Sequence, residues 1–314
     1  MKVVLIINPA ASSVNPRTRL VIERALRSGH DTTVIETNKR DHATEIAEKA
    51  VHDDTDVVVV LSGDGTVNEV ANALAGSKTA LAALPGGSTN VFCRSVNMTN
   101  DPVEATGILL HLLANDKPRS IGLGSADGRY FLMNVGVGFD AAVVERAERK
   151  SWIKRYAGHP YFALVAMLQW GRTAAKRDAD FLVNFDAENA KTKPASVESF
   201  LTLCLNANPY TYMGQLPFDI APEANFQSGL AAISIHRRAL PTMVGVLLTA
   251  LKSGRRITSS SRVDYRSDIK HLRITSDKPF PYQVDGEFLG EVNELDLKHH
   301  TNALLVYAPM PDTQ

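Results

Sequence analysis

The segment Ser62-Gly63-Asp64-Gly65-Thr66-Val67-Asn68-Glu69 carries the most chemical information in this sequence, because it follows a buried apolar run and opens a helical one. Two glycines flanking an aspartate allow positive φ and let the backbone approach phosphate oxygens closely. A helix that starts at Thr66 adds unpaired N–H groups and the positive end of its dipole. Asp64 can hold the Mg²⁺ that travels with a nucleotide. A capping box between Thr66 and Glu69 accounts for part of the pattern. It explains neither the paired glycines nor their place at the carboxyl end of a strand, where open α/β sheets bind ligands. A second loop, Pro85-Gly86-Gly87-Ser88-Thr89-Asn90, follows the next apolar run and again leads into a helix, and two such loops on successive strands make a cleft in which the second is expected to form a phosphate-side wall. Further along, Asp285-Gly286-Glu287 reads locally as a hairpin turn, for which Asp-Gly is a common choice.

The elements that position these residues alternate strand and helix. Val3–Ile7 is followed by Asn15-Pro16, a helix-start signal, and an amphipathic stretch ending at Gly29. The cycle repeats with 32–35 and 41–51, with 57–61 and 66–75, and with 81–84 and 89–96. Four such cycles predict a mostly parallel sheet covered on both faces. After the helical stretch 103–114 the grammar changes. Asp127-Gly128 marks a hairpin between 119–124 and 130–137, and antiparallel strands are expected at 180–185, 198–205, 231–236, 272–276 and 294–297. The expected organisation is an α/β first domain over 1–120, rejoined by 301–314, and a β-rich antiparallel sandwich over 121–300 with a helical insertion at 141–173.

The length of 314 residues suits two domains. Lys plus Arg and Asp plus Glu both total 34, which excludes a global field drawing the chain to nucleic acid or to an anionic membrane, so any charged contact must be a local patch. Cys93 and Cys204 fit no disulfide framework or spaced metal site and read as inert core residues. No apolar run is long enough to span a bilayer, so membrane contact would be peripheral and the expected location is cytoplasmic.

Taken in order, these motifs resemble one family. SGDGTVNEV at 62–70 is similar to the GGDGTxNEV signature of the diacylglycerol, sphingosine and ceramide kinases, and PGGSTNVF at 85–92 to their second glycine loop. Asn8-Pro9, Thr37 with HATEIA at 42–47, IAPEA at 220–224 and Asp285-Gly286-Glu287 match further family motifs in sequence order. The resemblance implies a phosphofructokinase-like nucleotide domain, a β-sandwich lipid domain and a cleft between them. It also implies ATP-dependent phosphorylation of the hydroxyl of diacylglycerol or a similar lipid. Carried over position by position, Asn8, Pro9, Thr37, Ser62, Gly63, Asp64, Gly65, Thr66, Asn68, Gly87, Ser88 and Thr89 would contact ATP, and Asp64 would serve Mg²⁺. Glu287 would accept the proton of the lipid hydroxyl, with Asp285 orienting it or holding metal. The implied partners are ATP and a lipid at the membrane surface, with a homodimer left open. A sphingoid-type lipid kinase, an NAD kinase-like enzyme and a catalytically weak lipid- or nucleotide-binding regulator are the alternatives.

The chain departs from the family pattern at several positions. Val91 stands where many members carry Asp, the N-terminal loop NPAASSVNPR lacks the usual Gly-Lys, for which Arg17 could substitute, and Ser228 replaces an Asp that serves an accessory metal in bacterial members. That accessory site is expected to be absent or weak. Arg146, Arg149, Lys150, Lys154 and Arg155 with Trp152 and Tyr156 form one candidate membrane-facing cluster. Thr242–Leu251, followed by Arg255-Arg256, forms a second, for which a core helix is the preferred reading.

Overall fold

The computed structural model describes residues 1–149, 167–169, 180–186, 193–236, 239–252, 257, 260 and 263–309. They divide into two compact units, residues 1–123 together with the segment from 301 onward, and residues 124–300.

In the first unit β1 (Lys2–Ile7), β2 (Asp31–Glu36), β3 (Val57–Ser62) and β4 (Ala80–Pro85) pair in the order β2-β1-β3-β4, all parallel. β3 and β4 are buried along their whole length and β1 along all but its first residue, as their unbroken apolar sequences require of strands covered on both faces. The crossover helices are α1 (Pro16–Arg27), α2 (His42–His52) and α3 (Asp64–Leu74), followed by α4 (Val91–Ser95) and α5 (Pro102–Asn115). Asn15 caps α1 by accepting from Thr18 N–H at 2.9 Å, with Pro16 at the first helical position where its missing N–H costs nothing. β5 (Arg119–Ala126) leads out of this unit and the end of β16 (Glu287–Val306) leads back, Val306 pairing in parallel with Leu81 of β4. Chain order reverses between β1 and β3, so the connections after these strands flank a topological switch point.

The second unit is antiparallel. β14 (Val263–Ile269), β13 (Leu230–Ile235), β10 (Leu201–Leu205), β7 (Asn134–Gly138), β15 (His271–Val284) and β16 pair in that order, with β8 (Phe181–Phe185) on β15 and β9 (Ser196–Ser199) on β8. β6 (Arg129–Phe131) forms a hairpin with β5, and β11 (Thr211–Met213) forms a separate one with β12 (Leu216–Phe218). α6 (Phe139–Glu148) and α7 (Leu240–Ala250) belong to the same unit. Two buried clusters hold it, one around Phe131, Phe181 and Phe280 and the other around Phe200, Ile220 and Ile233.

Several local expectations are corrected. α3 begins at Asp64, two residues before Thr66, with Gly63 as its N-cap. Thr66 is therefore an interior helical residue, Glu69 instead accepts from Ala43 N–H at 3.3 Å, and the Thr66–Glu69 capping box does not form. The segment 198–205 is broken into β9 and β10, and 294–297 is part of a 20-residue strand. Of the basic and aromatic cluster, Lys150, Trp152, Lys154, Arg155 and Tyr156 lie outside the described residues, as do Arg255 and Arg256.

His271 on β15 sits between Asp186 after β8 and Asp296 on β16, its Nδ1 3.0 Å from the first carboxylate and its Nε2 bonded to the second. Burial by itself lowers the His271 pKa, but the bonds and charges of the two aspartates outweigh it and the net shift is upward. Asp296 moves down to about 2, its partial burial overcome by Lys298 and His271. A raised His stabilises the fold fully below its unfolded pKa and loses that contribution as pH rises through the folded value. A lowered Asp contributes above its unfolded pKa and is lost as pH falls. The window in which both act therefore lies above the ordinary Asp pKa and below the ordinary His pKa. His271→Gln should lower Tm by a few degrees near pH 5.5 and by less at pH 8.5, as measured by calorimetry. An equal loss at both pH values would mean that the histidine contributes packing and no charge.

Candidate active site

Of the first-unit residues expected to contact ATP, all but Asn68 lie in or beside a connection at the carboxyl end of a parallel strand. Asn8 and Pro9 follow β1, Thr37 follows β2, Ser62 to Thr66 end β3 and open α3, and Gly87 to Thr89 follow β4. A web of short bonds locks these loops together. Asn8 donates from Nδ2 to Thr66 Oγ1 at 3.2 Å, and Ser62 Oγ donates to the same oxygen at 2.9 Å. Gly86 N–H donates to Ser62 O at 2.8 Å, and Ser13 donates its N–H to Gly86 O at 2.8 Å and its hydroxyl to Gly87 O at 3.0 Å. Asn90 closes the second loop, accepting from Gly87 N–H at 2.8 Å and returning a bond to Gly87 O at 3.0 Å. Asn68 stands apart. It is buried in α3 with its Oδ1 accepting from Asn72, which places it inside the fold.

The glycines serve this geometry in a way the sequence does not disclose. Gly63 has φ −86°, and neither Gly63 nor Gly65 takes a positive φ. The steric requirement falls on the second loop: a Cβ on Gly86 would lie 2.8 Å from Ser62 Cα, and one on Gly87 would lie 2.7 Å from Gly63 Cα. The second loop can come this close to the end of β3 only because Gly86 and Gly87 lack side chains. Gly65 is different. It sits exposed in the first turn of α3 with nothing within 4 Å of a hypothetical Cβ, although glycine in a helix costs about 1 kcal/mol relative to alanine. No contact within the protein requires it, so the space beside it is the feature that a glycine preserves.

Asp64 is partly buried. Its two carboxylate oxygens accept from Val91 N–H at 3.0 Å and Phe92 N–H at 2.9 Å, tying the start of α3 to the start of α4. Desolvation raises its pKa, opposed by those two N–H donors. Its own backbone N–H is a third donor that lowers the pKa. Among the described residues no group of three or more His, Cys, Asp or Glu side chains forms a metal cage. A single carboxylate suits a Mg²⁺ that arrives with phosphates and keeps its waters. Burial raises the pKa of both Cys93 and Cys204 thiols, which leaves them inert.

In the second unit Asp285-Gly286 is a two-residue hairpin turn between β15 and β16 with positive φ at both positions, 46° and 82°. The turn reading and the site reading describe the same object, because Glu287 is the residue that closes the hairpin. Asp127-Gly128 makes an equivalent turn, with φ 47° and 87°, and the residue closing it is Arg129. Arg129 forms an ion pair with Glu287, both side chains being partly exposed. Two Asp-Gly turns thus present a cation and a carboxylate to each other. Asp285 accepts from the N–H groups of Leu132, Met133 and Asn134 at 2.8–2.9 Å, so it braces the β6–β7 connection from the turn that Glu287 closes.

A polar network that the sequence did not disclose supports the same turn. Gln283, fully buried, accepts from Gly286 N–H at 2.7 Å and donates to Asn134 Oδ1 and Asp140 Oδ2, both at 3.0 Å. Asp140 also accepts from the Tyr210 hydroxyl at 2.8 Å. Desolvation raises the Asp140 pKa against those two bonds, and it raises that of Tyr210, with the Asp140 charge adding to the effect. A Cβ on Gly136 would lie 1.8 Å from Asp140 Oδ2, so Gly136-Val137-Gly138-Phe139-Asp140 was the available signal: a glycine placed where an acid must fit.

Comparison with known proteins gives a consistent picture. Residues 2–126 match the family model described as the diacylglycerol kinase catalytic domain, and residues 133–307 match the YegS C-terminal NAD kinase beta sandwich-like domain. The chain is 25% identical over 293 residues to a protein named diacylglycerol kinase from Staphylococcus carnosus, covering 92% of this chain and 88% of that one. A protein of the same name from Staphylococcus haemolyticus is 26% identical over 284 residues, covering 89% and 80%. A crystal structure described as a diacylglycerol kinase from Bacillus anthracis superposes with a TM-score of 0.72 at 16% identity, covering 98% of this chain and 96% of that one. Another crystal structure from that organism superposes with a TM-score of 0.75 at 18% identity, covering 98% and 97%. At these identities the two structures speak to the fold.

Proposed function

Since the chain belongs to the diacylglycerol kinase catalytic-domain family, and is a kinase that transfers phosphate to an alcohol, we propose that its donor is ATP with Mg²⁺ and its acceptor is diacylglycerol or a closely similar lipid alcohol. The observation that carries this reading is the interlocked pair of glycine loops at the strand carboxyl ends, with Gly65 leaving open space at the N-terminus of α3. Backbone N–H groups there meet phosphate oxygens at the positive end of a helix dipole. Asn8, Ser62 and Thr66 hold the first loop in shape, and Ser13 and Asn90 hold the second. Thr37 and Pro9 border the same strand ends, where the nucleoside would lie, and Ser88 and Thr89 offer hydroxyls from the second loop. Asp64 is the residue that would hold Mg²⁺, which neutralises phosphate charge when bound.

The second unit supplies the proton acceptor. As the lipid hydroxyl oxygen bonds to the γ-phosphorus and the bond to the β–γ bridging oxygen breaks, the hydroxyl proton passes to the Glu287 carboxylate. Arg129 fixes that carboxylate, and the Gln283–Asp140–Tyr210 network holds the turn that carries it. Phosphoryl transfer asks mainly for positioning, which is what braced turns and locked loops provide.

An acceptor competition tests the assignment. With γ-labelled ATP and equal amounts of detergent-dispersed diacylglycerol, a sphingoid base and NAD, most label should enter the organic phase as phosphorylated diacylglycerol. Dominant label on the sphingoid base would move the acceptor within the lipid class, and label on NAD in the aqueous phase would overturn it.

A further inference from the structure

α7 turns an entirely apolar face outward. Thr242 and Ala250 are buried, and Met243 and Val246 pack onto the core cluster around Phe200 and Ile233. The opposite side consists of Pro241, Val244, Gly245, Leu247 and Leu248, all exposed, with Leu248 at 56% and Leu247 at 45%. The outward face of a helix on a water-facing protein carries charged or polar groups; this one carries none. The β11–β12 hairpin repeats the pattern. Its Phe218 packs on the same cluster while Met213 and Leu216 stand exposed, and Asp219 N–H bonds Ala250 O at 2.8 Å, joining the base of the hairpin to the end of α7. The sequence expectation of a core helix at 242–251 is thereby corrected: one side is core and the other is uncovered.

Charge identifies the occupant. From Ala224 to Val263 the sequence has no Asp or Glu, while Arg237 and Arg238 precede α7 and Lys252, Arg255, Arg256 and Arg262 follow it. An uncharged apolar helix face in a stretch of sequence that holds cations and no acid fits a helix lying in the plane of an anionic lipid surface, with its apolar side in the acyl boundary. A second copy of the chain would bring the same cations against themselves. Resting on the lipid-kinase reading above, we infer that α7, with the exposed tip of the β11–β12 hairpin, is the element that docks the protein on anionic bilayers and keeps it where its acceptor resides.

The test measures sedimentation with phosphatidylcholine vesicles, with and without phosphatidylglycerol, in the absence of ATP. The parent should bind the anionic vesicles preferentially and release in high salt. Leu247→Ser with Leu248→Ser should weaken binding at least about tenfold while leaving Tm and the rate on a short-chain, water-dispersed diacylglycerol near parent values. If the double variant unfolds, Leu248→Gln alone, at the most exposed position of the helix, serves the same purpose. Parent-like vesicle binding by a folded variant overturns the inference. So does a parent that ignores vesicles but runs as a dimer which the substitutions dissociate, since the face would then meet a second copy. Because binding is read without ATP, a chain that docks through α7 yet transfers no label would sink the lipid-kinase reading and leave the docking surface standing.

Discussion

Glu287→Gln should reduce lipid phosphorylation on the order of 10²–10⁴-fold while MgATP affinity stays near the parent value. The amide keeps the side chain's shape and lies in a different compact unit from the glycine loops, so nucleotide binding has no reason to change. It cannot accept the hydroxyl proton, and the remaining activity should rise steeply with pH as attack by the unassisted hydroxyl takes over. The ion pair with Arg129 adds a second expectation. Glutamine can still accept one hydrogen bond from the guanidinium, so the fold should survive with a small change in Tm. Equal losses in ATP affinity and rate would place Glu287 in a structural or metal role, and near-parent turnover would remove it from the mechanism.

Asp64→Asn should act on stability and on nucleotide together. Both oxygens of Asp64 accept backbone N–H groups at the start of α4, and asparagine would turn one acceptor into a donor facing a donor. Leaving a buried N–H unpaired costs about 1–3 kcal/mol, so Tm should fall by several degrees. If the same carboxylate also holds Mg²⁺, MgATP affinity should drop by at least about tenfold beyond what the destabilised fold explains, with turnover falling in parallel. Titrating MgATP into the folded variant below its Tm separates the two effects. A lower Tm with unchanged MgATP affinity would reduce Asp64 to a tie between the two loops.

The parts of the fold that could be read from the sequence are those whose physics is local. β1, β3 and β4 are unbroken apolar runs because both faces are buried, and α1 announces itself through Asn15 and Pro16. β14, with the sequence VDYRSDI, escaped because it alternates buried and polar positions irregularly, and β11 and β12 because strands of three residues have no period to detect. In β15 and β16, Pro279, Pro281 and Gly290 interrupt the pattern, so only fragments of the long hairpin were visible. α7 misled for a different reason. With apolar residues on every side, its sequence cannot say which face is covered.

The candidate site divides along the same line. Motif residues in one loop were legible as a group, although the sequence could not show that Gly86 and Gly87 are required by contact with Ser62 and Gly63, a fact of tertiary approach. Arg129, Asp140, Tyr210 and Gln283 converge on the Glu287 turn from four separate segments, and no spacing rule links them. The three backbone N–H groups that Asp285 braces come from a connection about 150 residues earlier in the chain, which no local pattern around Asp285 could show.

The central claim is that this chain moves the γ-phosphoryl of ATP to a lipid hydroxyl, with the glycine loops holding the nucleotide and Glu287 taking the proton. A single-turnover experiment reaches it most directly. Enzyme in excess is loaded with γ-labelled MgATP, mixed with dispersed diacylglycerol, quenched over time and extracted with chloroform. The account predicts that the parent carries label into the organic phase, while Glu287→Gln binds the same amount of nucleotide and leaves the label on ATP. Label released by the parent only as inorganic phosphate, or transferred to lipid by the variant at the parent's rate, would contradict it.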